Sequence, residues 1–292
     1  MPTVTLDIPN PPSALASPAD EAAFAAACAV ESPPLGPDSL PQPNIPRGAL
    51  TTHRHTSSAT AAFPNTSRDW TLYVPAQYDA STPANLVVFQ DARFYLGDDF
   101  NAPAVFDNLI ARGDIPPTIG VFVEPGDLAH EAPGTRGNRS FEYDALSDAY
   151  SRFLHDELLP LVTADYAIST DPNRRASVGM SSGGICAFNL AWERPDSFAR
   201  VVSHVGSFTD IRGGNAYPAR VRKSSPRPIR VFLQGAAGDL DNQYGSWPVA
   251  NFDMARALKF RGYDYRFEYG QGAHDRRHGA AIFPATLRWL WR

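Results

Sequence analysis

The chain has 292 residues, 20% of them charged, and a formal net charge of −5 at pH 7. With 43% hydrophobic residues it is long enough to bury one large core, and no block of Lys or Arg suggests nucleic acid or an anionic membrane surface as a partner. Its two cysteines, Cys28 and Cys186, stand far apart and form no disulfide framework, so reduced thiols are expected.

The sequence contains no run of about 18 apolar residues and predicts no transmembrane helix. Residues 1–7 lack the basic region and apolar run of a secretory signal. A cytoplasmic protein is therefore expected, although a chain whose leader had been removed would look the same.

Residues 1–47 are Pro-rich with one helical island. Ser17 reads as its cap and Pro18 as its first turn, with Asp20 and Glu21 near the positive end of the dipole. Ala22 to Val30 continue it, and Pro33 lies just beyond its end. This segment is expected to be an arm lying on a main domain of residues 48–292. Leu50–Thr56 and Arg68–Val74 alternate like two antiparallel edge strands. Asn85–Gln90 and Thr118–Val123 are continuous apolar runs, as in strands buried on both faces. A helix over Ala104–Arg112 lies between them. After a polar loop, Asp144–Leu159 carries helical periodicity. Further strands are predicted at Arg175–Val178, Arg200–Val205, Ile229–Gln234 and Tyr263–Tyr269. Helices are predicted at Gly184–Arg194, Val249–Arg261 and Ala280–Trp291. This alternation predicts an α/β fold, with a mostly parallel central sheet and helices on both faces.

The chemistry gathers at Val178–Gly184, which reads Gly-x-Ser-x-Gly with Ser181 at its centre. A strand before and a helix after make this a nucleophile elbow, the hallmark of the α/β-hydrolase fold. A Gly/Ser-rich loop without chemistry is the plain alternative. The downstream residues weigh against it, because that fold orders its triad Ser, acid, His, each in a loop at the carboxyl edge of the sheet. Asp239 lies in the loop after Phe232–Gln234, and His274 in the loop after Tyr263–Tyr269. Asp241 competes with Asp239, which is favoured because it stands closer to the strand end. Asp275 reads as a surface charge. His274 would take the Ser181 proton, and a carboxylate would fix the imidazole tautomer. The expected oxyanion donors are the backbone N–H groups of Ser182 and of Ala92, the latter in a loop at Asp91–Arg93 after the strand that ends at Gln90. Asp91 is either a support for that loop or an ordinary turn residue.

Two metal alternatives are weaker. His274 and His278 have zinc-protease spacing, which works only on a helix, and glycines flank the pair. His53 and His55 share a strand face without a third ligand. No metal and no organic cofactor are expected.

Several stretches carry a family resemblance. They are Val88–Asp91, Asn138–Asp144, Gly179–Gly184, Asn242–Asn251 and His278–Pro284. Through them residues 36–292 resemble the esterase-D-like branch of the α/β-hydrolases. The match is to the enterochelin (siderophore) esterase-like group, related to feruloyl esterases. The resemblance implies Ser181 as nucleophile, His274 as base and Asp239 as acid. It also implies that Arg139 and Glu142 lie near the active site and orient substrate or a loop, with a structural ion pair as the alternative. One departure is Ala92, where similar proteins often carry Gly. The implied activity is carboxylic ester hydrolysis through an acyl-enzyme. An acyltransferase with the same triad and a non-catalytic ligand-binding homologue are the alternatives. Trp247, Tyr244, Phe94 and Tyr95 are candidates for an aromatic pocket or for the core. The expected partner is a small-molecule ester, with no nucleic acid and no membrane; a homodimer is left open.

Overall fold

The computed structural model describes residues 10–292. The expectation for residues 1–7 lies outside the described residues. In chain order the main elements begin with α1 (Pro18–Cys28), β1 (Ala49–Thr56), β2 (Thr66–Val74), β3 (Asn85–Gln90), α2 (Ala92–Leu96), α3 (Ala102–Ala111), β4 (Thr118–Val123) and the short β5 (Asp127–Leu128). Next come α4 (Arg139–Tyr143), α5 (Ala149–Arg152), α6 (Leu159–Thr163), β6 (Arg175–Met180), α7 (Ser182–Glu193), β7 (Arg200–His204) and α8 (Tyr217–Lys223). The chain closes with β8 (Arg230–Gly238), the two-residue strands β9 (Asp241–Asn242) and β10 (Gly245–Ser246), α9 (Trp247–Phe260), β11 (Asp264–Ala273) and α10 (Arg277–Trp291).

The sheet runs β1-β2-β4-β3-β6-β7-β8-β11, with β5 beside β2. From β4 to β11 every pairing is parallel, while β1 and β2 are antiparallel. This is the α/β-hydrolase arrangement. Every residue of β3 and β4 is buried, which is why these strands read as unbroken apolar runs. Alternate side chains feed two cores. Leu86 and Val88 join one with Phe188, Leu190, Met254 and Leu258 of α7 and α9. Val87 and Phe89 join the other with Phe24, Phe106, Phe283 and Trp289 of α1, α3 and α10.

The helix expected over 144–159 is broken. Residues 144–148 are not helical, and from Ala149 α5, a π-helical turn at Phe153–Leu158 and α6 follow one another directly. Pro160 sits in the first turn of α6 and offers no N–H to the preceding turn. The wider turn lets the chain pass without that bond. Periodicity survives such a break, so the sequence alone does not show it.

Residues 10–28 pack along the β11 edge and on α10, and residues 37–40 run on to α3, where the Asn108 amide donates to the Asp38 and Leu40 carbonyls at 2.9 Å. Ser17 caps α1 by accepting from the Asp20 N–H at 3.2 Å, and the helix ends at Cys28 rather than Val30. Arg266 holds both Glu21 oxygens at 2.6 and 2.8 Å and lies 4.0 Å over the Phe24 ring. This pairing lowers the Glu21 carboxyl to about 2. Arg288 binds Asp20 and Asp38, and the Trp289 indole donates to the Ala14 carbonyl. The Asn10 side chain accepts from the Phe267 N–H at 2.8 Å and donates to its carbonyl at 3.5 Å.

Glu142 corrects an expectation. Its carboxylate has no exposed surface and forms a two-bonded pair with Arg68, at 2.5 and 2.9 Å. The Gly126 N–H and the Asn138 amide also donate to it, and Arg68 lies 4.1 Å over Phe153. Glu142 therefore pairs away from Arg139 and has no surface to offer a substrate. Burying one charge without its partner is costly. Glu142→Ala is expected to lower unfolding stability by about 3–5 kcal/mol, measured by denaturant titration, and Glu142→Gln by less.

Two histidines are buried beneath the carboxyl edge. His278 Nδ1 accepts from the Gln234 amide at 3.1 Å, which leaves the proton on Nε2, 3.5 Å from the Cys28 sulfur. Burial brings His278 down to about 4 and His204 to about 3. Unfolded, each would protonate near 6.5, so the stability they carry is complete above that pH. It is lost as pH falls from 6.5 toward 4, because only the unfolded chain then gains protons. The melting temperature is therefore expected to fall across that interval, and His278→Gln to flatten the slope.

Candidate active site

The elbow is a steric construction. A Cβ on Gly179 would come within 2.0 Å of the Gly183 carbonyl, and one on Gly183 within 2.9 Å of Asp91 Oδ2. Between them Ser181 takes φ 58° and ψ −122°, a strained region for a residue with a side chain. Four backbone bonds hold that conformation. The Ser181 N–H donates to the His204 carbonyl at 2.9 Å, and the Ser181 carbonyl accepts from Gly184 at 2.9 Å, Ile185 at 3.2 Å and Ser207 at 3.0 Å. The side chain is thereby turned out of the sheet at the start of α7.

His274 and Asp239 arrive from neighbouring strands. β8 and β11 pair in parallel, with Gly238 opposite Ala273, so the residues that follow each strand emerge side by side. Ser181 Oγ stands 2.8 Å from His274 Nε2, and His274 Nδ1 stands 2.5 Å from Asp239 Oδ1. Asp239 also accepts from the Leu240 N–H at 2.7 Å, and its side chain has no exposed surface. Asp241 lies in β9 and is exposed. The geometry therefore brings Asp239, not Asp241, to the imidazole. Asp275, expected as a surface charge, is half-buried 3.6 Å from Arg277 and lines the same cleft as Ser181 and His274.

Ser182 and Ala92 are each the first residue of a helix, α7 and α2, where the N–H has no acceptor within the helix. The stretch expected as a loop at 91–93 thus enters a helix at once, after Asp91 in a left-handed conformation (φ 62°). Asp91 is wholly buried. It accepts from Arg139 through both oxygens at 2.8 Å and also pairs with Arg136. Arg136 stands 3.3 Å from Glu124. Burial beside Arg139 brings Arg136 down to about 10, and burial raises the Glu124 carboxyl.

Ser181 and His274 open on a cleft of about 400 Å³. Phe94 and Met180 supply its apolar wall, and Arg136, Arg139 and Arg276 its rim. The Arg136 and Arg276 guanidinium groups lie 5.3 and 5.4 Å from the Phe94 ring centre. Of the four aromatic candidates, Phe94 faces the cleft. Tyr95 is buried, with its hydroxyl 3.2 Å from His204 Nδ1. Trp247 is 2% exposed, with its indole packed edge-on against His274 at 5.8 Å. It stands behind the histidine rather than in the cleft, at the first position of α9, with its N–H held by Ser207. Tyr244 is exposed on the β9–β10 turn.

The histidine pairs do not act together. His274 lies in the turn before α10, whereas His278 is inside that helix and faces Gln234. His53 stacks on Trp70, and His55 is 3.0 Å from Glu157. Sequence inspection passes over Arg136 and Ser207. For Ser207 the signal is its place: Gly206-Ser207 follows a buried strand at the same sheet edge that carries Ser181, Asp239 and His274.

Among the described residues no helix is long and apolar enough to cross a membrane. The sequence profile of the Esterase family matches residues 61–287. The chain is 28% identical over 241 residues to the iron(III) enterobactin esterase of Dickeya dadantii strain 3937; the match covers 77% of this chain and 52% of that protein. It therefore spans about half the length of this relative. In structure it is similar to the ferric enterobactin esterase of Salmonella typhimurium (TM-score 0.70, 20% identity, 88% of this chain and 62% of that one). It is also similar to an S954A feruloyl esterase module from Clostridium thermocellum complexed with sinapinate (TM-score 0.65, 15% identity, 91% and 95%). With more than three quarters of its length matched by one profile, the chain belongs to the Esterase family.

Proposed function

We propose that the protein hydrolyses small carboxylic esters through an acyl-enzyme on Ser181. The observation that carries this reading is the continuous chain Ser181–His274–Asp239, at 2.8 and 2.5 Å, with Ser181 open to the cleft. Family membership supports it.

On this reading each step has its residue. An ionised Asp239 is an acceptor only, so the Nδ1 proton of His274 is directed to it and Nε2 is left to accept from Ser181. As Ser181 Oγ bonds to the ester carbon, its proton passes to Nε2, and the carbonyl electrons move onto oxygen. The Ser182 and Ala92 N–H groups would hold that oxyanion, each worth about 3 kcal/mol in well-formed sites. Collapse breaks the bond to the alkoxy oxygen, which takes the proton from His274. Water then repeats the sequence against the acyl-enzyme. The apolar wall at Phe94 and Met180 suits a bulky acyl or alcohol part. The named relatives, enterobactin and feruloyl esterases, direct the first substrate panel to phenolic and catechol esters.

Hydrolysis of p-nitrophenyl and feruloyl esters tests the reading. Ser181→Ala is expected to lower kcat by about 10⁴-fold or more and to abolish the mass shift left by a serine-reactive phosphonate. Asp239→Asn should cost about 10³- to 10⁴-fold by favouring the wrong tautomer, whereas Asp241→Asn should change little. Full activity in Ser181→Ala would refute the proposal.

A further inference from the structure

The hydroxyl of Ser207 lies beside the nucleophile. Ser207 Oγ is 3.2 Å from Ser181 Oγ and 3.1 Å from Trp247 Nε1. Its direction of donation follows from the partners. An indole N–H only donates, so Ser207 Oγ accepts from Trp247. Ser181 directs its own hydrogen to His274. The Ser207 hydrogen is then left to point at Ser181 Oγ, and the bonds run one way: Trp247 to Ser207 to Ser181 to His274 to Asp239.

Much of the surrounding structure fixes Ser207 there. Ser207 is 1% exposed, and its N–H donates to the Ser181 carbonyl. The turn before it is strained. Val205, a β-branched residue, takes φ 40°, and a Cβ on Gly206 would meet Ser203 Oγ at 2.3 Å. The Asn251 amide holds the Gly206 carbonyl at 2.9 Å and the Trp247 carbonyl at 3.0 Å, tying this turn to the start of α9.

We infer that Ser207 is a further catalytic residue, which donates a hydrogen bond to the nucleophilic oxygen throughout attack, and that Trp247 is the residue that positions it. The inference rests on Ser181 being the nucleophile. In the resting state Ser181 Oγ has two lone pairs. The Ser207 hydrogen occupies one, and the other is left to meet the carbonyl carbon. As the Ser181 proton leaves for His274, negative charge builds on Oγ before its bond to carbon is complete. A donor at that oxygen is worth more then than in the neutral hydroxyl, since bonds to charged acceptors are about twice as strong. The bond therefore favours the transition state over the ground state, and its loss should lower kcat with little change in KM.

The test compares Ser207→Ala, Ser207→Thr, Trp247→Phe and the double variant Ser207→Ala/Trp247→Phe with wild type, alongside Ser181→Ala. The readouts are kcat and KM on a p-nitrophenyl ester, and the rate of labelling by a phosphonate, which reports attack by Ser181 without turnover. Ser207→Ala should lower kcat and labelling alike by about 10- to 100-fold, with KM within about twofold. Ser207→Thr, which keeps the hydroxyl, should recover most of the loss. Trp247→Phe keeps a ring but loses the donor. It should slow both rates about fivefold in wild type and have no effect in the Ser207→Ala background. A Ser207→Ala enzyme within about twofold of wild type in kcat and labelling overturns the inference, as does an equal Trp247→Phe effect in both backgrounds. If Ser207→Ala fails to fold, an unchanged kcat in Trp247→Phe overturns it. Loss of activity in Ser181→Ala with Ser207→Ala intact sinks only this inference, whereas survival of activity in Ser181→Ala removes the triad and the inference together.

Discussion

The contact between Gly179 and Gly183 governs the rest of the site. β6 and α7 approach until no Cβ fits on Gly179, Asp91 and Gln90 crowd the place of one on Gly183, and the chain between the two glycines turns through a residue of positive φ. That residue is Ser181. Its strain, of order 1–3 kcal/mol for such a conformation, is held by bonds from β7 and from α7 itself. The surrounding sheet fixes where those bonds can lie. The parallel order β6-β7-β8-β11 then delivers three successive loops to the same edge, carrying Ser207, Asp239 and His274. A side chain on either glycine would move the elbow, and with it every distance measured from Ser181.

Charge is arranged in two tiers around this edge. Arg68 and Glu142 satisfy one another out of contact with water, and their task is to hold α4 against β2. Above them Asp91 is shared between Arg139 and Arg136, so the segment bearing both arginines is pinned to the residue that opens α2. The same carboxylate lies against Gly183. The cleft rim, the α2 N-terminus and the elbow are thus joined through a single buried aspartate.

Much of this is legible in the sequence. The buried strands announce themselves because β3 and β4 have no polar face. The elbow does so because its glycines have a steric reason to be there, and Asp239 and His274 because each closely follows a strand. What escapes is of another kind. Glu142 and Arg139 are three residues apart in one short helix, yet one is sealed with Arg68 and the other reaches the cleft, and only the packing of β2 beneath α4 decides which. Trp247 looks like a pocket aromatic until α9 is placed. Ser207 carries no motif, since its role depends on which donor happens to reach it from a helix forty residues away.

The N-terminal segment has a consequence for the free edge of the sheet. β11 ends the parallel run, and beyond it backbone donors and acceptors would meet only water or another chain. The Asn10 amide takes both the N–H and the carbonyl of Phe267, as a neighbouring strand would, and Arg266 and Arg288 clamp the segment that follows. At the opposite end β1 is exposed along almost its whole length but carries Thr, His and Arg. One margin is thus capped by side-chain mimicry and the other made unattractive by polarity, two solutions to the hazard that an open sheet recruits strangers. Freed of the capping segment, β11 would present open backbone groups on the strand that leads to His274, so the segment that caps the edge also guards the approach to Ser181 from a second chain.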